Sequence, residues 1–208
     1  MGTNRLEAFS DGVIAVAITL LVLGLAVPPP PAPGTKPAHH LIYELGQGWP
    51  HYAAYITSFL TIGIIWINHH AMISRLREAD HSILILNLLL LMSIGILPFA
   101  TDLMATYLRE PSGESVAAAL YSGAFLAMAF FFGLLNRHIL LNRSHLLSSE
   151  MPLDERRRIY SRAAAGLVPY VVATILAFVS PYITLAICAA LAAYYALPVA
   201  SGLNRTSA

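Results

Sequence analysis

The sequence comprises 208 residues, of which 57% are hydrophobic and only 11% are charged, and its 12 lysines and arginines against 11 acidic residues leave a net charge of +1. Soluble domains carry about 25% charged residues and disordered chains combine low hydrophobicity with high net charge, so both classes are excluded. The balanced charge also excludes a basic nucleic-acid-binding surface, and the single cysteine, Cys188, excludes an intramolecular disulfide. A polytopic, all-α membrane protein remains.

Six stretches are long and apolar enough to cross a membrane, since a spanning helix needs about 20 mostly apolar residues. They cover approximately residues 6–27, 49–73, 82–107, 116–135, 163–179 and 182–199. Pro181 divides the last two into a tight helical hairpin, because proline starts a helix well and continues it poorly. We therefore predict a single transmembrane domain of six helices over residues 1–208.

The first apolar stretch has an alternative interpretation as a signal peptide, since Arg5 precedes an apolar run that ends at Ala26. Asp11, however, lies where the apolar region of a signal would begin. The five later spans also need no cleaved leader. A retained first helix is therefore the preferred prediction.

The positive charges predict the orientation of the spans. With both termini in the cytoplasm, ten lysines and arginines lie in inner segments and two, Lys36 and Arg109, lie in outer segments, which satisfies the positive-inside rule. The inner loop 136–162 is the longest and most basic segment. Its charges are interpreted as setting the topology, with attraction to an anionic leaflet as the alternative.

The start of the first span contains ionisable groups, which are costly in a membrane and by default mark function. An R-x-x-x-F-S-D motif is formed there by Arg5, Phe9, Ser10 and Asp11. At about 100° per residue, a stripe on the same helix contains Val16, Leu20 and Leu23, with Thr19 at its edge. If this stripe faces a central cavity, Ser10 and Asp11 face neighbouring helices.

The motif, its place at the start of the first of six spans, and a Trp/His patch on the second span resemble the transmembrane protein 175 family of potassium channels in its single-repeat prokaryotic form. The resemblance covers the whole chain. It implies a homotetramer in the plasma (inner) membrane of a prokaryote, with the first helices lining a central pore for monovalent cations. The family lacks the TVGYG filter of ordinary potassium channels, and so does this sequence.

The resemblance also implies which residues line the pore. In the family a bulky aliphatic residue five positions after the motif aspartate forms a hydrophobic constriction, and Val16 has that position here. Valine is smaller than the usual isoleucine or leucine, so the narrowest point is left open between Val16 and Leu20 or Leu23. Thr19 offers a hydroxyl that can coordinate a partly dehydrated cation. Near the outer end of the third span, Asp102 is either a cation attractor of an outer vestibule or a hydrated interface carboxylate.

A narrow apolar neck is the physical basis of the expected activity. Hydrophobic constrictions gate by dewetting, and potassium holds its hydration shell less tightly than sodium. We therefore expect passive permeation with weak to moderate selectivity for K⁺, which is the permeant ion expected in the pore.

For the motif residues the resemblance implies a structural network with polar groups of neighbouring spans. A buried carboxylate needs a partner, and Arg5, near the membrane interface, is one donor available to Asp11. The second and third spans offer the others. The predicted network comprises Arg5, Phe9, Ser10, Asp11, Trp66, Asn68, His69, His70 and Asn87.

A proton-coupled transporter is the alternative function, with Asp11 and His69 or His70 relaying protons. A membrane-embedded enzyme, or another polytopic membrane protein that uses Asp11 and His69 or His70, is a further alternative, although no nucleophile–base pairing or metal-ligand spacing is recognisable. The adjacent histidines point about 100° apart on a helix and are poor co-ligands for one metal. We predict no catalytic residue, no metal site, no cofactor and no nucleic-acid partner.

Overall fold

The computed structural model describes residues 2–30 and 40–197, and the helices named here belong to that part of the chain. The first three helices are α1 (Thr3–Leu20), followed by a 3₁₀ turn (Leu21–Gly24), α2 (His40–Gln47) and α3 (Trp49–Ile73). The next three are α4 (His81–Gly95), α5 (Leu97–Tyr107) and α6 (Glu114–Arg137). The last three are α7 (Leu153–Ala165), α8 (Leu167–Leu176) and α9 (Pro181–Ala196).

The lengths and hydropathies of its helices identify the described chain as a membrane protein. Five helical segments are long and apolar enough to cross a membrane: Thr3–Gly24, Trp49–Ile73, His81–Tyr107, Glu114–Asn142 and Leu153–Leu176. A sixth apolar helix, Pro181–Ala196, is shorter. The predicted all-α membrane fold is confirmed. The predicted end of the last span at residue 199 lies outside the described residues, as do Lys36 and the C-terminus.

Proline decides where the third span bends. The sequence predicts one helix over residues 82–107, and the structure divides it into α4 and α5 at Ile96. Pro98 has no N–H, and its ring clashes with the carbonyl of the residue four positions earlier, so an α-helix cannot continue through it undisturbed. The span is retained, with a break near its middle.

The segment 136–162, predicted to be a loop, is largely helical. After α6 the chain makes one wide turn at His138–Asn142, and α7 begins at Leu153. Ile159 and Tyr160 pack against the core on one side of α7, and α7 lies beside the end of α6. The high charge of the segment conceals this amphipathic pattern, because Arg157, Arg158 and Arg162 are exposed and only Arg156 lies on the packed side of the helix.

The helix α6 is the centre of the bundle and packs against α4, α5, α8 and α9. Buried alanines such as Ala117 and Ala118 permit close approach of its neighbours. A polar contact also joins three helices, since Ser58 Oγ lies 2.7 Å from Thr101 Oγ1 and 3.2 Å from Tyr121 OH. α1 packs against α3 and α4, whereas α8 packs against α6 and α9 on the far side of α6.

The arginines of the described ranges, with the exception of Arg109, lie at one end of the bundle, where α1 and α4 begin and α3 and α6 end. We call it the basic end. Arg109 lies at the opposite end, where its Nη1 donates to Gln47 Oε1 over 2.9 Å and its guanidinium lies 5.5 Å from the centre of the Trp49 ring. Such a one-sided distribution is typical of a membrane protein whose basic end is cytoplasmic.

Asp80 joins the start of α4 to the turn that follows α6 at the basic end. Its Oδ1 accepts a hydrogen bond of 2.8 Å from the backbone N–H of Ile83 and so caps α4. Its Oδ2 lies 3.4 Å from His138 Nε2 and 3.2 Å from Arg143 Nε. Burial raises the pKa of Asp80, but the hydrogen bond from Ile83 and the neighbouring His138 and Arg143 together outweigh burial, so this pKa lies below its ordinary value.

Replacing Asp80 tests this cluster. Asp80→Ala is expected to lower the free energy of unfolding by about 1–2 kcal/mol, because it removes both the helix cap and the ion pairs. Asp80→Asn keeps a capping side chain and is expected to cost less. Because the folded-state pKa is lowered, the stability due to the charge is present at neutral pH and is lost as the pH falls through that pKa.

Thermal melting of the purified chain in detergent measures both effects. The melting temperatures of the unsubstituted chain and the Asp80→Asn variant should differ at pH 7, and this difference should disappear at acidic pH. An asparagine variant as unstable as the alanine variant, or a difference that does not change with pH, would contradict this assignment.

Candidate functional site

The first helix has one buried face and one exposed face. Its buried residues recur every three or four positions and pack against α3 and α4; they are Leu6, Ser10, Ile14 and Ala17, with Leu21 in the following turn. The exposed face is apolar and includes Phe9. In a membrane protein such an open apolar face must meet lipid, another copy of the chain or a pore.

The four residues predicted to line a pore all lie on the exposed face of this segment. Val16 is 57% exposed, Leu20 is 44% exposed and Leu23 is 76% exposed, and Thr19 is exposed beside them. Leu23 belongs to the 3₁₀ turn that extends α1. The four side chains therefore form one continuous strip at the end of the helix remote from the basic end.

The hydroxyl of Thr19 is oriented by its own helix. Its Oγ1 donates a hydrogen bond of 2.8 Å to the backbone oxygen of Val16. With its proton committed to that bond, the oxygen presents lone pairs away from the backbone. This is the orientation in which a threonine oxygen can coordinate a cation.

An open groove runs beside the exposed strip. It lies between α1 and α4 and is lined by Ala8, Phe9, Gly12, Val13, Val16, Ala17, Leu20 and Gly95. A Cβ atom added at Gly12 or Gly95 would meet no atom of a neighbouring element within 4 Å. The two glycines therefore leave room for a neighbouring helix to approach the backbone closely.

A directed chain of hydrogen bonds ties the buried face of α1 to α3 and α4. Ser10 Oγ donates to the backbone oxygen of Leu6 over 2.8 Å and accepts from Asn87 Nδ2 over 3.0 Å. Asn87 Oδ1 lies 2.8 Å from His69 Nε2, and because an amide oxygen only accepts, this histidine nitrogen must donate. All three polar side chains are fully buried. Each therefore depends on its partner for hydrogen bonding.

A second pair of contacts lies closer to the surface of the same helix junction. Trp66 Nε1 donates to Asp11 Oδ1 over 2.9 Å, and His70 Nδ1 lies 2.6 Å from Glu7 Oε1. Glu7 is absent from the network predicted from the sequence. The spacing in the sequence could have indicated Glu7 as a member. Glu7 and Asp11 are four residues apart on one helix, and two carboxylates so placed repel each other unless each has a partner.

Three members of the predicted network are not brought into these contacts. Arg5 is exposed, and its guanidinium group makes no hydrogen bond or ion pair with any other described residue. Phe9 lies on the exposed face of α1. Asn68 Nδ2 donates to the backbone oxygen of Ile64 in its own helix. The structure thus joins Asp11 to Trp66, and does not join it to Arg5.

Comparison with known proteins relates this arrangement to a family. The family model described as endosomal/lysosomal potassium channel TMEM175 matches residues 5–98. A protein of Streptomyces collinus named as a potassium channel is 44% identical over 178 residues, which are 86% of this chain and 84% of that protein. The chain belongs to the TMEM175 family.

A solved structure and an animal relative extend the TMEM175 comparison. The crystal structure of a lysosomal potassium-selective channel TMEM175 homolog from Chamaesiphon minutus matches with a TM-score of 0.79 at 39% identity, over 93% of this chain and 96% of that chain. The cow protein named endosomal/lysosomal proton channel TMEM175 is 32% identical over 182 residues, which are 86% of this chain and 37% of the cow protein. The segment that matches the TMEM175 family model contains both partners of every hydrogen bond described above between α1 and its neighbours.

In this TMEM175-family chain, the end of the first helix remote from the basic end lies beside a carboxylate. Asp102 of α5 is exposed, and a Cβ added at Gly24 would lie 3.3 Å from its Oδ1. Backbone carbonyls at the C-terminal end of a helix carry partial negative charge. The carboxylate and these carbonyls therefore make this end of the helix locally negative.

Within residues 2–30 and 40–197, no three histidine, cysteine or carboxylate side chains lie close enough together to hold a metal ion. His69 and His70 instead contact different partners, Asn87 and Glu7. The described site consists of these hydrogen bonds and the apolar strip of α1.

Proposed function

We propose that this chain is one subunit of a potassium-selective cation channel of the plasma membrane, with the exposed strip of α1 lining the pore. The proposal is carried by one observation. The strip at Val16, Thr19, Leu20 and Leu23 is open along the first helix, in a chain that belongs to the TMEM175 family and has relatives named potassium channels. The basic end is proposed to be cytoplasmic.

A pore requires more than one copy of the chain, because a single helix cannot enclose an aqueous path. A closed ring related by rotation is the usual solution for identical subunits, and we propose a homotetramer around the first helices. The groove beside α1, with Gly12 and Gly95 in its wall, supports close packing of a second copy. No cofactor is needed for such a pore.

Permeation then follows from the chemistry of the strip. Val16, Leu20 and Leu23 are aliphatic, so a narrow ring of them excludes water until it widens or an ion enters. An ion that crosses must shed part of its hydration shell, which costs less for potassium than for sodium. The outward lone pairs of Thr19 replace part of that shell.

Two other cation mechanisms stand beside this one. Animal relatives are named proton channels, and Asp11 with His69 or His70 offers titratable groups for a coupled transporter. In this chain Asp11 accepts a hydrogen bond from Trp66, and His69 donates one to Asn87. These contacts favour a structural role for Asp11 and His69 in positioning α1. Proton flux is therefore measured in the same assay.

The test is cation flux from liposomes that contain the purified oligomer. Vesicles loaded with potassium and a matched set loaded with sodium are diluted into medium lacking the loaded ion, with a protonophore present to dissipate any proton gradient. Valinomycin defines the maximal potassium signal, and protein-free vesicles define the leak. We expect potassium loss to exceed sodium loss.

Two results would contradict the channel proposal. The first is the absence of flux from an oligomer that elutes as a single species. The second is flux that requires an imposed proton gradient, which would instead assign a coupling role to Asp11 and the histidines of α3. Proton flux without the protonophore, at rates above the potassium rate, would overturn potassium selectivity while retaining the pore.

Asp102 is expected to concentrate cations at the outer mouth. Asp102→Asn should lower potassium conductance about two- to fivefold at 10 mM salt and leave it unchanged at 1 M, because the screening length falls from about 30 Å to about 3 Å. Glu110→Gln is the matched control, since Glu110 is exposed at the same end of the bundle. Equal losses in both variants, or a loss that persists at 1 M salt, would contradict the assignment.

A further inference from the structure

The exposed face of α7 and α8 changes chemistry along its length. α7 begins with two carboxylates, Asp154 and Glu155, continues with arginines, and is followed in α8 by exposed aliphatic side chains. One face of this almost continuous helix, with residues three or four apart, contains Arg158, Arg162, Ala165, Val168, Val172, Ile175 and Val179. The side chains along this face change from acidic to basic to aliphatic. This order matches the layers of a membrane surface, which pass from water through lipid headgroups to acyl chains.

The spacing places the arginines at headgroup depth. Arg162 precedes Val168 by six residues, which is about 9 Å along a helix, and Arg158 precedes it by about 15 Å. Val168 is 62% exposed and begins the aliphatic part of the face. With Val168 at the edge of the hydrocarbon, the guanidinium groups reach the level of lipid phosphates, since headgroup regions are several ångströms thick.

Three of the α7 arginines have no partner in the described chain. Arg157, Arg158 and Arg162 are exposed, and their guanidinium groups make no hydrogen bond or ion pair with any described residue. Asp154 lies four residues before Arg158, a spacing that permits pairing, yet no ion pair forms between them. Arg156 differs, because its Nη1 donates to the backbone oxygen of Leu140 over 3.1 Å. Arg156 therefore supports the fold, and the other three remain available.

The position of α8 in the bundle makes this face peripheral. α8 packs against α6 and α9, whereas α1 packs mainly against α3 and α4. Exposed aliphatic side chains lie along α8 at Val168, Val172 and Ile175, and in the turn after it at Val179. In the oligomer proposed above, which is assembled around α1, this face is available to lipid and the arginines at its end are available to the headgroups of the adjacent leaflet.

We propose that Arg157, Arg158 and Arg162 form a binding site for the headgroup phosphate of an anionic phospholipid in the leaflet at the basic end. A guanidinium binds phosphate through two parallel N–H groups and keeps its charge at every physiological pH. An anionic lipid adds a net negative charge that a zwitterionic lipid lacks, so the site selects by charge. The acyl chains of the bound lipid lie along the aliphatic face of α8.

The test is lipid binding to the full chain in detergent, followed by native mass spectrometry during titration with dioleoyl phosphatidylglycerol or dioleoyl phosphatidylcholine. The unsubstituted chain should retain the anionic lipid at lower concentration than the zwitterionic one. The triple variant Arg157→Gln, Arg158→Gln, Arg162→Gln should weaken phosphatidylglycerol binding roughly tenfold or more, since each arginine near an anionic surface contributes measurably. Melting temperature and elution volume without lipid report whether the variant folds.

A charge-matched control separates a site from general attraction. Arg75→Gln, Arg77→Gln, Arg137→Gln removes the same charge from the same end of the bundle and should leave most of the binding intact. Equal weakening in this control, or equal retention of both lipids by the unsubstituted chain, would overturn the proposal. Displacement of the lipid by glycerol phosphate at comparable concentration would overturn it as well, because the site would then bind free phosphate.

Three single variants preserve the test if the triple variant does not assemble. Arg157→Gln, Arg158→Gln and Arg162→Gln should each weaken phosphatidylglycerol binding by a few fold. The absence of an effect in all three would overturn the proposal. None of these measurements depends on ion flux, so the lipid site and the channel function are tested independently.

Discussion

Asn87→Ala is expected to lower the free energy of unfolding by about 2 kcal/mol and to prevent stable assembly. Asn87 accepts from His69 and donates to Ser10 in the fully buried chain of hydrogen bonds. Its removal leaves the donor of His69 unsatisfied in an environment without water, which costs about 1–3 kcal/mol, and leaves a small cavity. In a chain of this size, about 2 kcal/mol corresponds to a loss of about 4–8 °C in melting temperature.

The control is another asparagine of the same junction. Asn68 is exposed and donates only to the backbone of its own helix, so Asn68→Ala should change the melting temperature by about 1 °C or less. Melting in detergent and elution volume are measured for both. If the Asn87→Ala variant melts at the same temperature as the unsubstituted protein, the role assigned to these hydrogen bonds is disproved.

A double substitution sharpens the result. Ser10→Ala removes the acceptor of Asn87 Nδ2, so Ser10→Ala with Asn87→Ala should cost less than the sum of the two single losses. Non-additivity of this kind is expected for directly bonded neighbours and is absent for distant sites. Strict additivity would show that the two side chains stabilise the chain separately.

Substitutions on the exposed strip of α1 are expected to change ion flux without changing the melting temperature. Val16→Ala widens the proposed constriction and should raise potassium flux about fivefold, which is what a barrier lower by about 1 kcal/mol provides. A wider neck also strips less water from the ion, so the ratio of potassium to sodium flux should fall. Leu23→Ser should act in the same direction by making dewetting less favourable.

Val168→Ala is the matched control for Val16→Ala. Val168 is a valine of similar exposure, 62% against 57%, but lies on α8 at the far side of α6. Flux is measured in the liposome assay, and melting temperatures are recorded beside it. If Val16→Ala and Leu23→Ser both leave flux and selectivity unchanged, or if Val168→Ala changes them equally, the strip does not line the pore.

These two sets of substitutions separate the faces of one helix. The buried face, through Ser10, is expected to control melting and assembly. The exposed face, through Val16 and Leu23, is expected to control flux at constant melting temperature. The division arises because the helical period of 3.6 residues puts the two sets on different sides of α1.

Several features of this protein follow from the sequence alone. Hydrocarbon contains no water to satisfy backbone N–H and C=O groups, so apolar stretches of about 20 residues must be helical. The predicted second span, residues 49–73, accordingly has the same bounds as α3. The apolar strip of α1 was predictable for a similar reason, because the period of a helix assigns its faces without reference to any neighbour.

Only the tertiary structure decided which polar groups meet. Glu7 contacts His70, Asp11 contacts Trp66, and Asn68 bonds to its own helix. Of the donors that the sequence offers to Asp11, Trp66 contacts it and Arg5 does not. Partner choice depends on how far each helix is rotated and shifted against the next, and periodicity within one helix contains no information about that setting.

The helix α7 shows the same limit at the level of secondary structure. Its arginines predicted an inner loop, yet Ile159 and Tyr160 pack against the core and the segment is helical. A helix with so little apolar surface is stabilised mainly by the neighbour on which it lies, here the end of α6. The sequence therefore determines the spans and their faces, whereas contacts between helices determine partners, bends and the shape of the basic end.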